Sequence, residues 1–235
     1  MTFSPVKTAL EDLLKTRKLQ AEAPPLRGQE PRPGVPIGID LVDDLLLGGF
    51  PRGQLSEMQG APSSGRTALA LALAARVTGR GHLVAWVDPG DRLDPASASE
   101  AGADLARLFW LRGPAGDPRA LTAALSAVGT LLGSGLFEAI VLDLAGLSGA
   151  LLRRLPLATW IRLQRALEGQ PTALVLLADA HVAQGPGGAS LVLQPAGPRW
   201  SGAPGPGRLL RALGTEVRAG RHLYRALPLE LQAPV

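Results

Sequence analysis

Residues 60–67 read Gly60-Ala61-Pro62-Ser63-Ser64-Gly65-Arg66-Thr67. The spacing is that of a phosphate-binding loop, G-x-x-x-x-G-K-S/T, with arginine where the pattern has lysine. Such a loop needs a particular setting: it follows a buried strand and opens a helix, so that backbone amides and the helix dipole face an anion. Leu55-Ser56-Glu57-Met58-Gln59 reads as that strand, and the Ala/Leu-rich run Thr67 to Val77 as that helix. Gly60 and Gly65 allow the backbone angles and close approach that phosphate oxygens demand, with Ser63 and Ser64 completing the cradle between them. Thr67 supplies a hydroxyl for Mg²⁺. Arg66 keeps the positive charge, but a planar guanidinium is bulkier than an ammonium and differently hydrated. It can grip a phosphate or fill the pocket itself.

Beyond the loop the pattern alternates. Leu83 to Asp88, Leu108 to Leu111, Phe137 to Asp143 and Ala173 to Leu177 read as buried strands. Between them, Asp94 to Gly102, Pro118 to Leu132 and Leu155 to Leu167 read as helices, the first with Asp94 as its cap. Repeated units of this kind predict an α/β fold: a mainly parallel, twisted sheet with helices on both faces. Ligands of such sheets bind at the carboxyl ends of the strands. Gly60–Thr67 and Asp143 both fall there. Asp143 ends an apolar run about eighty residues after the loop, the usual place of a second carboxylate near the magnesium. The two motifs in this order are far more specific than either alone.

The 235 residues suit one such domain with short extensions. Three divisions follow from composition. Residues 1–36 comprise an amphipathic helix, Pro5 to Gln20, and a linker with five prolines between 22 and 36. The helix can pack on its own domain or dock on a neighbouring subunit. Residues 37–194 form the core, and 195–235 a Pro/Gly- and Arg-rich tail. Cysteine is absent, which excludes disulfides and thiolate metal sites. The uncharged stretch 120–137 is long enough for a membrane span, but its glycines and serines read as helix, turn and strand start. No signal peptide is visible, and a cytoplasmic setting is expected. Of 24 basic residues only Lys7, Lys15 and Lys18 are lysine, and the net charge is +4. That supports weak polyanion contact at most.

The segment Gly38-Ile39-Asp40-Leu41-Val42-Asp43-Asp44-Leu45-Leu46-Leu47-Gly48-Gly49-Phe50-Pro51-Arg52-Gly53, running into the loop, resembles the RecA recombinase family. So do Val87 to Pro95 and Phe137 to Leu144. The resemblance covers roughly residues 1–194 and implies a RecA-like core binding ATP with Mg²⁺ through Gly60, Ser63, Ser64, Gly65, Arg66, Thr67 and Asp143, with Thr67 and Asp143 toward the metal. Departures are equally informative. The family's water-activating glutamate would fall at Gly90, with Asp91 one position off. Its γ-phosphate-sensing glutamine is replaced near Asp179. The first DNA-binding loop is shortened to about 146–156, where Arg153 and Arg154 remain as candidate DNA contacts. The second, about 181–190, is also cut down.

A small RecA-like chain with these losses resembles the ImuA family, which accompanies an inducible cassette for translesion DNA synthesis. The resemblance implies a nucleoid-associated accessory protein in place of an efficient ATPase. Its implied partners are RecA, an ImuB-like Y-family protein and an error-prone polymerase subunit, with self-association left open. The rival expectations are an ATP-dependent recombinase-type ATPase binding single-stranded DNA, and a DNA-binding module using the basic tail. His82, His181 and His222 are too scattered for a metal cluster. Trp200 alone among the tryptophans lies among arginines, in a setting for tail docking or base stacking.

Overall fold

The computed structural model describes residues 33–114, 117–183, 187–220 and 226–232. The head helix expected at Pro5 to Gln20 lies outside them. The chain enters beside Phe50, through a two-way backbone bridge between Val35 and Phe50. Gly49 makes this crossing possible: a Cβ there would lie 2.4 Å from the Val35 carbonyl carbon. A short helix, α1 (Asp40–Leu45), follows. Its Asp43 carboxylate turns back to accept the Ile37 and Gly38 amides at 2.7 and 2.9 Å.

Next come β1 (Leu55–Gly60), α2 (Arg66–Gly79), β2 (Leu83–Asp88), α3 (Pro95–Glu100), β3 (Leu108–Arg112), α4 (Pro118–Ser134), β4 (Phe137–Asp143), α5 (Gly149–Arg153), α6 (Leu157–Leu167) and β5 (Ala173–Ala178). The remaining elements are strands: β6 (Ser190–Ser201), β7 (Leu209–Ala219) and β8 (Leu227–Gln232). Local chemistry sets the helix starts. Asp94 accepts the Ala96 and Ser97 amides ahead of Pro95, and Asp117 accepts the Arg119 amide ahead of Pro118. Proline costs nothing at a first helical position, where its missing N–H has no intrahelical partner. Gly135, at φ 67, ends α4 in the left-handed conformation.

Among the described residues all eight strands join one sheet in the order β3-β2-β4-β5-β1-β6-β7-β8. Pairings from β3 to β6 are parallel; β6–β7 and β7–β8 are antiparallel. This is the mainly parallel α/β architecture expected from the alternating pattern. β2, β4 and β5 are buried along their whole length. Alternate strand residues therefore feed two cores. On one face Met58, Trp86, Val141 and Val175 pack with α2 through Leu69, Leu73 and Val77. On the other Ile140, Leu142, Leu174 and Leu176 meet α4 and α6 through Val128, Leu132, Trp160 and Leu163. Residues 120–137 become most of α4 and the start of β4. Among the described residues no helix is long and apolar enough to cross a membrane.

Two differences from the sequence reading stand out. The shortened loop after β4 holds a helix, α5, and α6 starts at Leu157. The Pro/Gly- and Arg-rich stretch after 194 is strand: β6 runs on to Ser201, and β7 and β8 extend the sheet. Prolines fit here because, among the described residues, β6 has no neighbour on one side beyond Leu193, and an edge tolerates a missing donor.

Candidate functional site

The loop 60–67 sits where the motif requires, between the end of β1 and the first turn of α2. Gly60 has no room for a side chain: a Cβ would lie 2.4 Å from Ser64 Oγ. Ser63 takes a left-handed conformation at φ 62. Ser64 is buried and its Oγ has no hydrogen-bond partner. Gly65, at φ 87, turns the chain into the helix. Thr67 is exposed in the first helical turn. Two distant strands close the flank. Thr215 Oγ1 on β7 donates to the Ser64 carbonyl at 2.7 Å, and Leu231 on β8 lies where a Cβ on Gly65 would collide.

Arg66 does not project from the cradle. It is only 5% exposed. Its Nη1 donates to the Gly60 carbonyl and, at 3.4 Å, to the Ala178 carbonyl. Its Nη2 lies 2.7 Å from Asp179 Oδ1. That same oxygen accepts the Gly146 amide at 3.1 Å. The two departures noted separately in the sequence, Arg66 and Asp179, are thus one ion pair. It fastens the phosphate loop to the tip of β5 and to the loop after β4. Burial works against charge on Asp179, but the Gly146 amide and Arg66 prevail and hold its carboxyl below the usual value.

Asp143 ends β4 at 5% exposure. Burial raises its carboxyl to about 6, against the Ala145 amide, which donates at 3.0 Å. Nearby Asp88 adds to the rise, while Arg66 and Arg92 oppose it. Arg92 is the residue that sequence reasoning missed. Its stem packs over Gly90, where a Cβ would lie 3.2 Å from Arg92 Cδ. Its guanidinium rests on Gly146, with Nη1 2.0 Å from a Cβ there. The bare Gly90 position thus leads to a cation, not a carboxylate. Asp88, fully buried, accepts the Arg92 and Leu93 amides at 2.7 and 2.8 Å. Asp91 is engaged elsewhere, in a two-bond pair with Arg112 at 2.7 and 2.9 Å. Arg153 and Arg154 are exposed at the end of α5, clear of these contacts.

The backbone of the loop, its helix terminus and Thr67 fit a bound phosphate; the cation that would meet the outer phosphate is turned inward. A family model described as the RecA N-terminal domain matches residues 34–152, just over half of the chain. The chain belongs to the RecA family. Its RecA-family stretch is 37% identical over 107 residues to Protein RecA of Rubrobacter xylanophilus, covering 46% of this chain and 29% of that one. It is 38% identical over 110 residues to Protein RecA of Treponema pallidum, covering 46% and 26% respectively. Against Protein RecA of Lactobacillus delbrueckii subsp. bulgaricus the figures are 36%, 46% and 32%. The matched stretch is therefore about a third or less of each relative's length.

Proposed function

We propose that this RecA-family chain is an accessory protein of the ImuA type. It acts in the DNA-damage response and translesion synthesis by touching other proteins, without working as an ATP-driven motor. The observation that carries this reading is the Arg66–Asp179 pair. A motor needs its loop cation free to follow the outer phosphates. Here the cation is spent within the fold, and Gly90 offers no carboxylate to activate water. What survives is a RecA-like surface whose phosphate loop is tied to Asp179 and, through it, to Gly146. Its partners in this reading are RecA, an ImuB-like Y-family protein and an error-prone polymerase subunit. If a nucleotide does bind, Gly60, Ser63, Ser64 and Gly65 hold phosphates, with Thr67 and Asp143 toward Mg²⁺.

Capture of purified RecA, with and without single-stranded DNA, tests the reading. The full chain retains RecA, and a chain lacking residues 1–36 retains much less. Failure of the full chain to hold RecA under either condition contradicts it. A second reading, an ATP-dependent recombinase-type ATPase that binds single-stranded DNA, draws support from the relatives' name and from the intact glycines and Thr67. Magnesium-dependent phosphate release stimulated by single-stranded DNA separates the two.

A further inference from the structure

On the face covered by α4 and α6 the helix layer ends with α6 among the described residues. Beside α6 an open groove of about 970 Å³ runs over β1 and β6. Its apolar lining includes Leu45, Leu47, Leu55, Trp160, Ile161 and Val192. Ile161 is 37% exposed and Leu47 96%. Leu47 also holds φ 56, a left-handed conformation that its Cβ disfavours. A strained, uncovered leucine on an apolar groove points to something that covers it. Glu57 in the groove asks for no ligand: buried, it pairs with His181 and accepts the Val182 amide at 2.7 Å.

The chain enters the fold beside this groove. The Pro33 carbonyl, where the described residues begin, accepts from Arg52 Nε at 3.0 Å. A Cβ on Gly34 would lie 3.0 Å from the Gly48 carbonyl oxygen, one residue past Leu47. Residues 21–32 separate this point from the segment Pro5–Gln20, and a stretch of that length reaches about 40 Å when extended. Val6, Leu10, Leu13 and Leu14 of the segment fall at helical spacing, with Lys7, Lys15 and Lys18 along one flank.

We propose that the segment Pro5–Gln20 of the same chain docks in this groove as a helix. It lays Val6, Leu10, Leu13 and Leu14 against Leu47, Trp160 and Ile161, and it continues the helix layer beyond α6. Held there, the segment is withheld from other proteins, and a partner that uses it must first displace it. Tethering favours the chain's own segment over that of a second copy, because a short leash gives an effective concentration in the millimolar range. Charge agrees. Besides the Glu57–His181 pair, the groove carries Glu168 and, beside Leu45, the exposed Asp44 against Arg165. The segment sets Lys7, Lys15, Arg17 and Lys18 against Glu11 and Asp12. The same carboxylates disfavour a nucleic-acid strand as the occupant.

Two properties of the chain make the test clean. Lys7, Lys15 and Lys18 are its only lysines, so a lysine-specific protease reads this segment alone. Cysteine is absent, so an introduced pair can only join itself. The full chain is cleaved about tenfold or more slowly than a free peptide of residues 1–24, because cleavage follows the undocked population. Leu47→Ser with Ile161→Ser removes that protection, and unchanged urea unfolding shows that the variant folds. Independently of that variant, Arg165→Cys with Ala9→Cys or Thr16→Cys forms a disulfide within one chain. The same head positions paired with Glu100→Cys, exposed on α3 at the opposite face, do so far less. Four results overturn the proposal: cleavage of the full chain as fast as of the peptide, protection that survives the double substitution, a disulfide to position 100 formed as readily, or disulfides that join two chains. No partner protein enters these measurements, so their outcome is separate from that of RecA capture.

Discussion

Arg66, buried, and Arg52, mostly covered, sit at opposite ends of the sheet and are handled differently. At the amino ends of the strands Arg52 is fully employed as a staple. Its Nε donates to the Pro33 carbonyl at 3.0 Å, Nη1 to the Pro171 carbonyl at 2.6 Å, and Nη2 to Glu138. It holds together the entry of the chain, the turn before β5 and the start of β4. At the carboxyl ends Arg66 is also paired, but three buried atoms without partners among the described residues lie at that end, its own Nε, Ser64 Oγ and Asp88 Oδ1, against Glu138 Oε2 at the other. Asp143 at the carboxyl ends carries a charge that burial opposes. One end is built for cohesion. The other has the layout of a site for an anion and a metal, closed by a side chain of its own. The contrast is what the proposed reading expects of a family scaffold that keeps its fold at one end while its chemistry is rewritten at the other.

The largest expected effect lies at the cohesive end. Arg52→Ala leaves Glu138, whose side chain is 6% exposed, without its guanidinium. Breaking a buried pair from one side costs about 3–5 kcal/mol, which urea unfolding measures. A loss well under this figure would make the staple no stronger than a surface pair and erase the contrast.

Next comes Asp143, where the sign is reversed. Its carboxyl is raised from 3.8 to about 6 in the fold, so the folded chain holds its proton longer than the unfolded one. Stability from this group is full below about pH 4, falls as pH rises to about 6, and stays reduced above that. Asp143→Asn keeps the hydrogen bond from Ala145 and removes the charge. At pH 7 it stabilises by as much as about 3 kcal/mol, because a tenfold change in proton affinity is worth about 1.4 kcal/mol. The gain vanishes below about pH 4. Equal gains at both pH values, or none at pH 7, would break the claim that charge is disfavoured at this end.

The smallest effect on stability is Asp179→Asn. Asp179 is 41% exposed on its side chain, so solvent screens its pair with Arg66. But Arg66 is only 7% exposed on its side chain and keeps just the Gly60 and Ala178 carbonyls, so the loss is about 1–2 kcal/mol, short of the Arg52 figure. A penalty as large as that of Arg52→Ala would mean that both ends are staples of one kind.

Much of the fold was legible because its signals are local. The glycines of 60–65, the apolar strands and the Asp94 cap each act within a few residues. Gly60, Thr67 and Asp143 took their places from motif and strand order alone. Arg66 and Asp179 were each legible as departures, but their union was not: the chain brings them together through β5 lying beside β1. Arg92 gave no local sign. Its entry depends on Gly90 lacking a side chain and on Gly146 lying opposite. β7 and β8 were hidden by Pro/Gly-rich flanks, because antiparallel pairing is set by partners elsewhere and not by period. α1 was missed because six residues rich in aspartate look like loop until Asp43 is seen to accept the two amides before it.

Phosphate release from purified protein with Mg·ATP and single-stranded DNA, for the natural chain beside the double substitution Arg66→Lys/Asp179→Gln, addresses the closed cradle most directly. The natural chain shows no release above the uncatalysed background. The double variant, its loop cation freed, gains nucleotide binding by calorimetry, though Gly90 still denies it rapid turnover. Sustained DNA-stimulated release by the natural chain would contradict the account.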